Sequence, residues 1–168
     1  MIRSMNSPWI IRPIRKQDNT AIEQIIQDVM IEHGCSGEGF ALHDAEVASM
    51  STHYNTPAAK YYVVTHDDTV MGGAGFAQLD GTDLTSGICE LRKMYFRPDT
   101  RGLGIGHALL QLLIEEMRLA KFNRCYLETT SWMEPAQKLY RRAGFNEQPH
   151  AEGATGHHGC DRFFSRML

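Results

Sequence analysis

The residues best equipped for chemistry lie in the run "FRPDTRGLGIGHALLQLLIEEM", residues 96–117. Gly102, Gly104 and Gly106 alternate with apolar residues where an extended segment gives way to a helical pattern. A helix N-terminus carries unpaired N–H groups and a partial positive charge, so it attracts anions wherever side chains leave the backbone accessible. Arg101 adds a guanidinium that can grip a phosphate by two hydrogen bonds. The stretch therefore suits a phosphate or pyrophosphate.

Two common phosphate loops do not fit. The P-loop needs Lys and Ser/Thr directly after its last glycine, and neither follows here. The dinucleotide fingerprint G-x-G-x-x-G/A meets His107 when counted from Gly102 and Leu109 when counted from Gly104. Glu128, near the end of the next strand, stands about where a ribose-binding acid would sit, which keeps a nicotinamide-dependent oxidoreductase as a minor alternative. A glycine turn with no ligand is a further one.

The elements that must position this loop can be read from periodicity. "WIIRPI" predicts an opening strand, and "DNTAIEQIIQDVMIEHG" a helix with Asp18 as N-cap, an apolar face of Ile22, Ile25, Ile26, Val29 and Met30, and Gly34 past its end. "HDAEVASMSTHY" predicts a shorter helix, "KYYVVT" and "VMGGAGFAQL" a hairpin around "HDD", and "ICELRKMYF" the strand before the glycines. After them, Ile105, Ala108, Leu109, Leu112, Leu113, Met117 and Ala120 recur at helical spacing, with His107, Gln111, Glu115 and Arg118 opposite. "NRCYLETT" reads as a buried strand, "MEPAQKLYRRAGF" as a helix closed by Gly144, and "FNEQP" and "CDRFFSRML" as closing strands. This order predicts an α/β fold with a mixed sheet.

The hexapeptide Arg101-Gly102-Leu103-Gly104-Ile105-Gly106 fills the pattern [QR]-x-x-G-x-[GA], and "RCYLETTSWMEPAQKLYRRAGF" supplies the A-x-x-L-Y-x-x-x-G-F ending. Together they resemble the coenzyme A loop and the following strand and helix of the GNAT superfamily of N-acetyltransferases, with specific likeness from Ile88 to Phe145. The resemblance implies a single-domain acyl-CoA N-acyltransferase fold over residues 1–168. Its sheet would be mostly antiparallel with one splayed parallel pair, flanked by about four helices. It implies acetyl-coenzyme A as cosubstrate and no metal. The donor would be held by Met94, Tyr95 and Phe96 on the splayed strand, by Arg101 to Gly106 at the loop, and by Thr129, Met133 and Ala136 beyond it.

Acetyl transfer to an amine needs an acid for the leaving thiolate and a base for the ammonium. The resemblance sets Tyr140 on a tyrosine that in many family members protonates the thiolate; packing beside Ala136, Leu139 and Ala143 is the alternative. Glu90, alternating with Ile88 and Arg92, is the candidate base, with an ordered water or a plain ion pair to Arg92 as alternatives. Cys89 and Cys125 lie in apolar strands and make poor nucleophiles, so direct attack is expected. His107 is expected to face solvent. His157, His158, Cys160 and Asp161 match no zinc spacing and read as a polar loop, one of whose histidines could face the acceptor. The acceptor's other wall is expected from "EHGCSGEGFALHDAEV", where Glu32, Glu38, Asp44 and Glu46 lean acidic. A non-catalytic acetyl-coenzyme A sensor is the rival reading.

Composition sets the outer bounds. The chain has 168 residues, net charge −3, 42% hydrophobic and 22% charged residues. That is enough for one well-filled core and argues against nucleic acid or an anionic membrane surface as partner. No signal-like or membrane-length apolar run occurs in the sequence, and the four cysteines form no C-x-x-C. A cytoplasmic protein with reduced thiols is expected, acting on a small-molecule or peptide amine, with a homodimer possible.

Overall fold

The computed structural model describes residues 9–35, 37, 40 and 44–168. Its strands are β1 (Trp9–Pro13), β2 (Asn55–Thr56), β3 (Ala59–His66), β4 (Thr69–Gln78), β5 (Ile88–Phe96), β6 (Arg124–Thr129), β7 (Asn146–Gln148) and β8 (Arg162–Met167). The helices are α1 (Asn19–Glu32), α2 (Met50–His53), α3 (Ile105–Leu119) and α4 (Glu134–Arg142). One sheet runs in the order β1-β3-β4-β5-β6-β8-β7, with β2 added beside β3. The β5–β6 pair is parallel and its neighbours are antiparallel, as expected for the mixed sheet.

Both faces of the sheet are covered, which explains why "KYYVVT" reads as a continuous apolar run. Tyr61 and Val63 pack into a core with α1 and α2 residues such as Ile22, Ile26 and Met50. Tyr62 and Val64 point the other way, into a core with Leu109, Leu113 and Met117 of α3 and Tyr140 of α4. The β3–β4 hairpin closes through Asp67 and Asp68, both at positive φ (46° and 61°), a turn that matches strand twist. The inward face of α3 differs from the expectation in one respect: Ala108 is exposed, whereas Leu110 and Ile114 are fully buried. The buried stripe is rotated toward Leu110 and Ile114, with Leu112 and Ala120 only half-buried at its margin.

The feature that shapes the site is a fork. Strands β5 and β6 pair only at Ile88–Arg124, Cys89–Cys125 and Glu90–Tyr126. On the opposite edge of β5 the register with β4 slips between Gly73 and Gly75, and Lys93 there takes a left-handed conformation at φ 52°. The slip is a β-bulge, which bends its strand and raises the local twist. Three features hold it. The Tyr61 hydroxyl donates to the Lys93 carbonyl at 2.9 Å. The Tyr61 ring lies where a Cβ at Gly73 or Gly75 would come within 2.6 Å. The buried Lys93 ammonium pairs with Asp44 at 2.7 Å and Glu46 at 2.5 Å.

Asp18 stands at the N-cap position of α1, as expected, but its side chain makes no cap bond to the helix. It takes two hydrogen bonds from Arg12, at 2.7 and 2.9 Å, and one from the Arg15 N–H at 2.7 Å. Burial works to raise its pKa, but Arg12 and the Arg15 amide outweigh it and hold the carboxyl below its usual value. Its stabilising contribution is thus present above the unfolded carboxyl pKa and is lost as pH falls through the folded one. Asp18→Ala should cost about 3 to 5 kcal/mol at neutral pH by stranding Arg12. Denaturant titration should find that gap narrowing in strong acid.

Candidate active site

The glycine turn and the fork meet in one cleft. It is lined by Met94, Tyr95 and Phe96 of β5, by Arg101, Gly102, Gly104, Ile105 and Gly106, and by Met133, Ala136 and Tyr140 at α4, and it holds about 200 Å³. Two of the sequence-predicted donor residues lie outside this lining. Leu103 points outward and is 58% exposed, and Thr129 lines the adjoining pocket.

The turn has the backbone a ligand-facing loop needs. Gly102 and Gly104 sit at φ 79° and 77°, where L-residues are strained, and no atom lies within 4 Å of where their Cβ would be. The first helical bond of α3 runs from the Ala108 N–H to the Gly104 carbonyl, so the N–H groups of the preceding turn lack helical partners. A Cβ at Gly106 would meet Leu139, Met94 and Phe96 at 3.4 to 3.6 Å, which locates this residue at the inner wall. Beyond the Glu90–Tyr126 pair, the edge of β5 turned toward β6 has no strand partner in the register. An extended ligand could therefore add itself there like a strand.

Arg101 lines the cleft, as expected, and also has a carboxylate partner. Its guanidinium is held by Glu32 through two bonds of 2.7 and 2.6 Å, a pair that raises its pKa. Both side chains are partly exposed, so an arriving phosphate would compete with Glu32 for it. Glu32 itself is not part of the cleft lining and borders a neighbouring pocket with Asp28 and Arg97. Val29 of α1 and His33, just past its end, line the cleft with Arg101.

A second pocket, of about 60 Å³, opens on the other side of Tyr140 and shares Met94, Tyr95, Met133 and Ala136 with the cleft. Tyr140 is 6% exposed, and its hydroxyl has no hydrogen-bond partner among the described residues. Burial, then the nearby Cys125 and Cys160, push its pKa well up, so the phenol stays protonated. Its ring also packs near Phe145 and Phe164, so packing and access to both pockets coexist. Glu90 reaches the second pocket from the fork itself. Its side chain is 3% exposed, and Oε2 accepts from Arg92 at 2.6 Å. Burial raises its pKa against the pull of Arg92.

The C-terminal loop does more here than its composition announced. His157 is inside the second pocket, with Nε2 3.1 Å from Asp44 Oδ2 and Nδ1 3.8 Å from Glu90 and 3.9 Å from Glu128. The hydrogen bond to Asp44 raises its pKa against its burial. No signal short of the fold could have paired Asp44 with His157, 113 positions apart. Among the described residues no group of three or more His, Cys, Asp or Glu is arranged to hold a metal. His107 is exposed as expected, Asp44 and Glu46 are spent on Lys93, and Glu38 lies outside the described residues. Cys35, Cys89, Cys125 and Cys160 are free thiols.

A mixed sheet forked beside a glycine-capped helix, with a buried tyrosine between two pockets, fits the acyltransferase class that the comparisons with known proteins show. The chain belongs to the GNAT family of acetyltransferases, whose family model matches residues 22–145. It is 39% identical over 160 residues to the uncharacterized N-acetyltransferase YjgM of Escherichia coli (strain K12), covering 95% of each. Among solved structures it is similar to an acetyltransferase of the GNAT family from Staphylococcus aureus Mu50 (TM-score 0.81, 19% identity, 95% of this chain and 99% of that one). A second is yncA from Salmonella typhimurium, solved with its cofactor acetyl-CoA (TM-score 0.76, 20% identity, 96% and 95%).

Gly104→Val should strain the left-handed turn by about 1 to 2 kcal/mol. It should also weaken coenzyme A binding, measured by isothermal titration, by at least about tenfold. Unaltered affinity would show that the turn is not the binding loop.

Proposed function

We propose that residues 1–168 form one N-acetyltransferase domain that moves an acetyl group from acetyl-coenzyme A to a primary amine by direct attack. The single observation that carries this reading is the position of Tyr140 between the glycine-turn cleft and the carboxylate-lined pocket. Acetyl-coenzyme A would supply an activated thioester; the residues suited to hold it are Met94, Tyr95, Phe96 and the turn from Arg101 to Gly106, with Thr129, Met133 and Ala136 beside them. The open glycines, the unpaired helix N–H groups and the free edge of β5 fit an extended donor ending in a pyrophosphate.

The chemistry assigned to this chain's own side chains is brief. An aliphatic amine of pKa about 10 arrives as ammonium, so it must lose a proton before attack. Glu90 Oε1, the oxygen Arg92 does not hold, accepts that proton directly or through an ordered water. Its raised pKa makes it a better base than an exposed carboxylate, and activity should fall as pH drops through that value. As the C–N bond forms and the C–S bond breaks, Tyr140 donates its proton, or a strong hydrogen bond, to the departing sulfur, and the proton that the acylated nitrogen sheds restores the phenol, directly or through water. Burial keeps that hydroxyl protonated, which is the form this role needs. Free thiols at all four cysteines agree with a reducing, cytoplasmic setting.

Tyr140→Phe tests the assignment. Turnover, followed by thiol release with a primary amine as acceptor, should drop about a hundredfold or more. Affinity for acetyl-coenzyme A should stay within a factor of about two, because the ring remains. Wild-type turnover in the variant would remove the acid role.

A further inference from the structure

Glu128 has no part in the steps above, yet its side chain is only 3% exposed and it lines the second pocket. Its hydrogen-bond partners are neutral: the Tyr126 hydroxyl donates to Oε1 at 2.8 Å and the Thr155 hydroxyl to Oε2 at 3.0 Å. Tyr126 is in turn fixed by the Glu152 N–H at 3.0 Å. A carboxylate kept from water with neutral donors is costly unless a cation can reach it.

The resident cations are committed elsewhere. Arg92 is held by Glu90 and Asp80, at 2.6 and 2.9 Å, and donates to the Gln78 carbonyl. Lys93 is held by Asp44 and Glu46. His157 faces Glu128 and Glu90 with Nδ1 but is bonded to Asp44 through Nε2. A second polar group stands in the same pocket: the Thr130 hydroxyl, in a residue 4% exposed, has no oxygen or nitrogen hydrogen-bond partner among the described residues and only the weakly polar Cys35 thiol beside it. With the Tyr140 hydroxyl, which has no hydrogen-bond partner among the described residues, it sets two hydroxyls beside two carboxylates. Met30, Phe40 and Met133 supply apolar wall on the same pocket.

We propose that Glu128, with Glu90 and His157 Nδ1 beside it, is the seat for the acceptor's ammonium group, and that the acceptor is a primary amine on an uncharged aliphatic carbon. With a volume of about 60 Å³ the pocket takes an amine head and its first carbons. An α-amino acid would bring its carboxylate to a pocket whose cations are already paired with carboxylates, so the seat discriminates against it. The proposal rests on the reading of this chain as an N-acetyltransferase and names the acceptor class for it.

His157 makes the seat sensitive to pH. The charged groups around it are Asp44, Lys93 of β5, Glu90 of β5 and Glu128 of β6. A protonated imidazole occupies the same carboxylates as the ammonium, so amine affinity should rise as pH increases through the His157 titration, while the amine itself stays charged. In His157→Asn that slope should vanish.

The experiment is isothermal titration of the protein saturated with coenzyme A, using n-butylamine, norvaline and n-butanol as probes, with thiol release from acetyl-coenzyme A measured in parallel. Butylamine should bind at least about tenfold more tightly than norvaline or butanol, and Glu128→Gln should abolish that preference with unchanged coenzyme A affinity. Equal binding of butylamine and butanol by the wild-type protein, which needs no variant to fold, would overturn the seat. So would undiminished butylamine binding in Glu128→Gln. Glu128-dependent binding without thiol release would keep the seat and remove the acetyl-transfer reading.

Discussion

Everything at this site depends on two parallel strands parting after three residue pairs. Had β5 and β6 stayed in register past Glu90 and Tyr126, the edge of β5 would be consumed by hydrogen bonds and the cleft would close. The parting is built into the sheet. Gly73 and Gly75 leave room for the Tyr61 ring, Tyr61 holds the Lys93 carbonyl, and Lys93 sits in a bulge that turns β5 away. A left-handed lysine is an unfavourable backbone state, and it persists because its ammonium is buried between two carboxylates. The strain is thus placed at the strand whose free edge faces the cleft.

That same lysine couples the fork to the loops above it. Asp44 binds both Lys93 and His157, so one carboxylate ties the segment before α2 to β5 and to the C-terminal loop. The C-terminal loop is further fastened by Arg124 to Glu152 at 2.8 and 2.5 Å, by Thr155 to Glu128, and by the Ser131 N–H to Asp161 at 2.6 Å. These bonds fasten the loop to the β6 side of the fork, Asp44 ties it to Lys93 on the β5 side, and together they hold the second pocket to a fixed shape. The charges in the pocket are therefore positioned by the fold before any acceptor arrives.

The sequence made the local parts of this arrangement readable. The hairpin, the long helix, the glycine turn and the Tyr-Gly-Phe ending each declare themselves within about twenty residues, through periodicity or backbone need. The parts that stay unread depend on partners elsewhere in the chain. Asp18 is legible as the N-cap position, but not that Arg12, on the preceding strand, captures its side chain. Arg101 is legible as a cation at the glycine turn, but not that Glu32, 69 positions away, pairs with it. The histidines near the C-terminus read as a polar loop, one of which could face the acceptor, and only the sheet topology singles out His157 and carries it to Asp44 and Glu128. Patterning records which face of an element is apolar; it does not record which buried charge meets which.

The central claim is that the free edge of β5 and the glycine turn together receive the acyl donor. Amide hydrogen exchange, resolved by residue with and without acetyl-coenzyme A, tests it most directly. Slower exchange concentrated at 94–96 and 102–107 is the result expected. Protection confined to other parts of the sheet, or none at these two segments on saturation, would contradict the account.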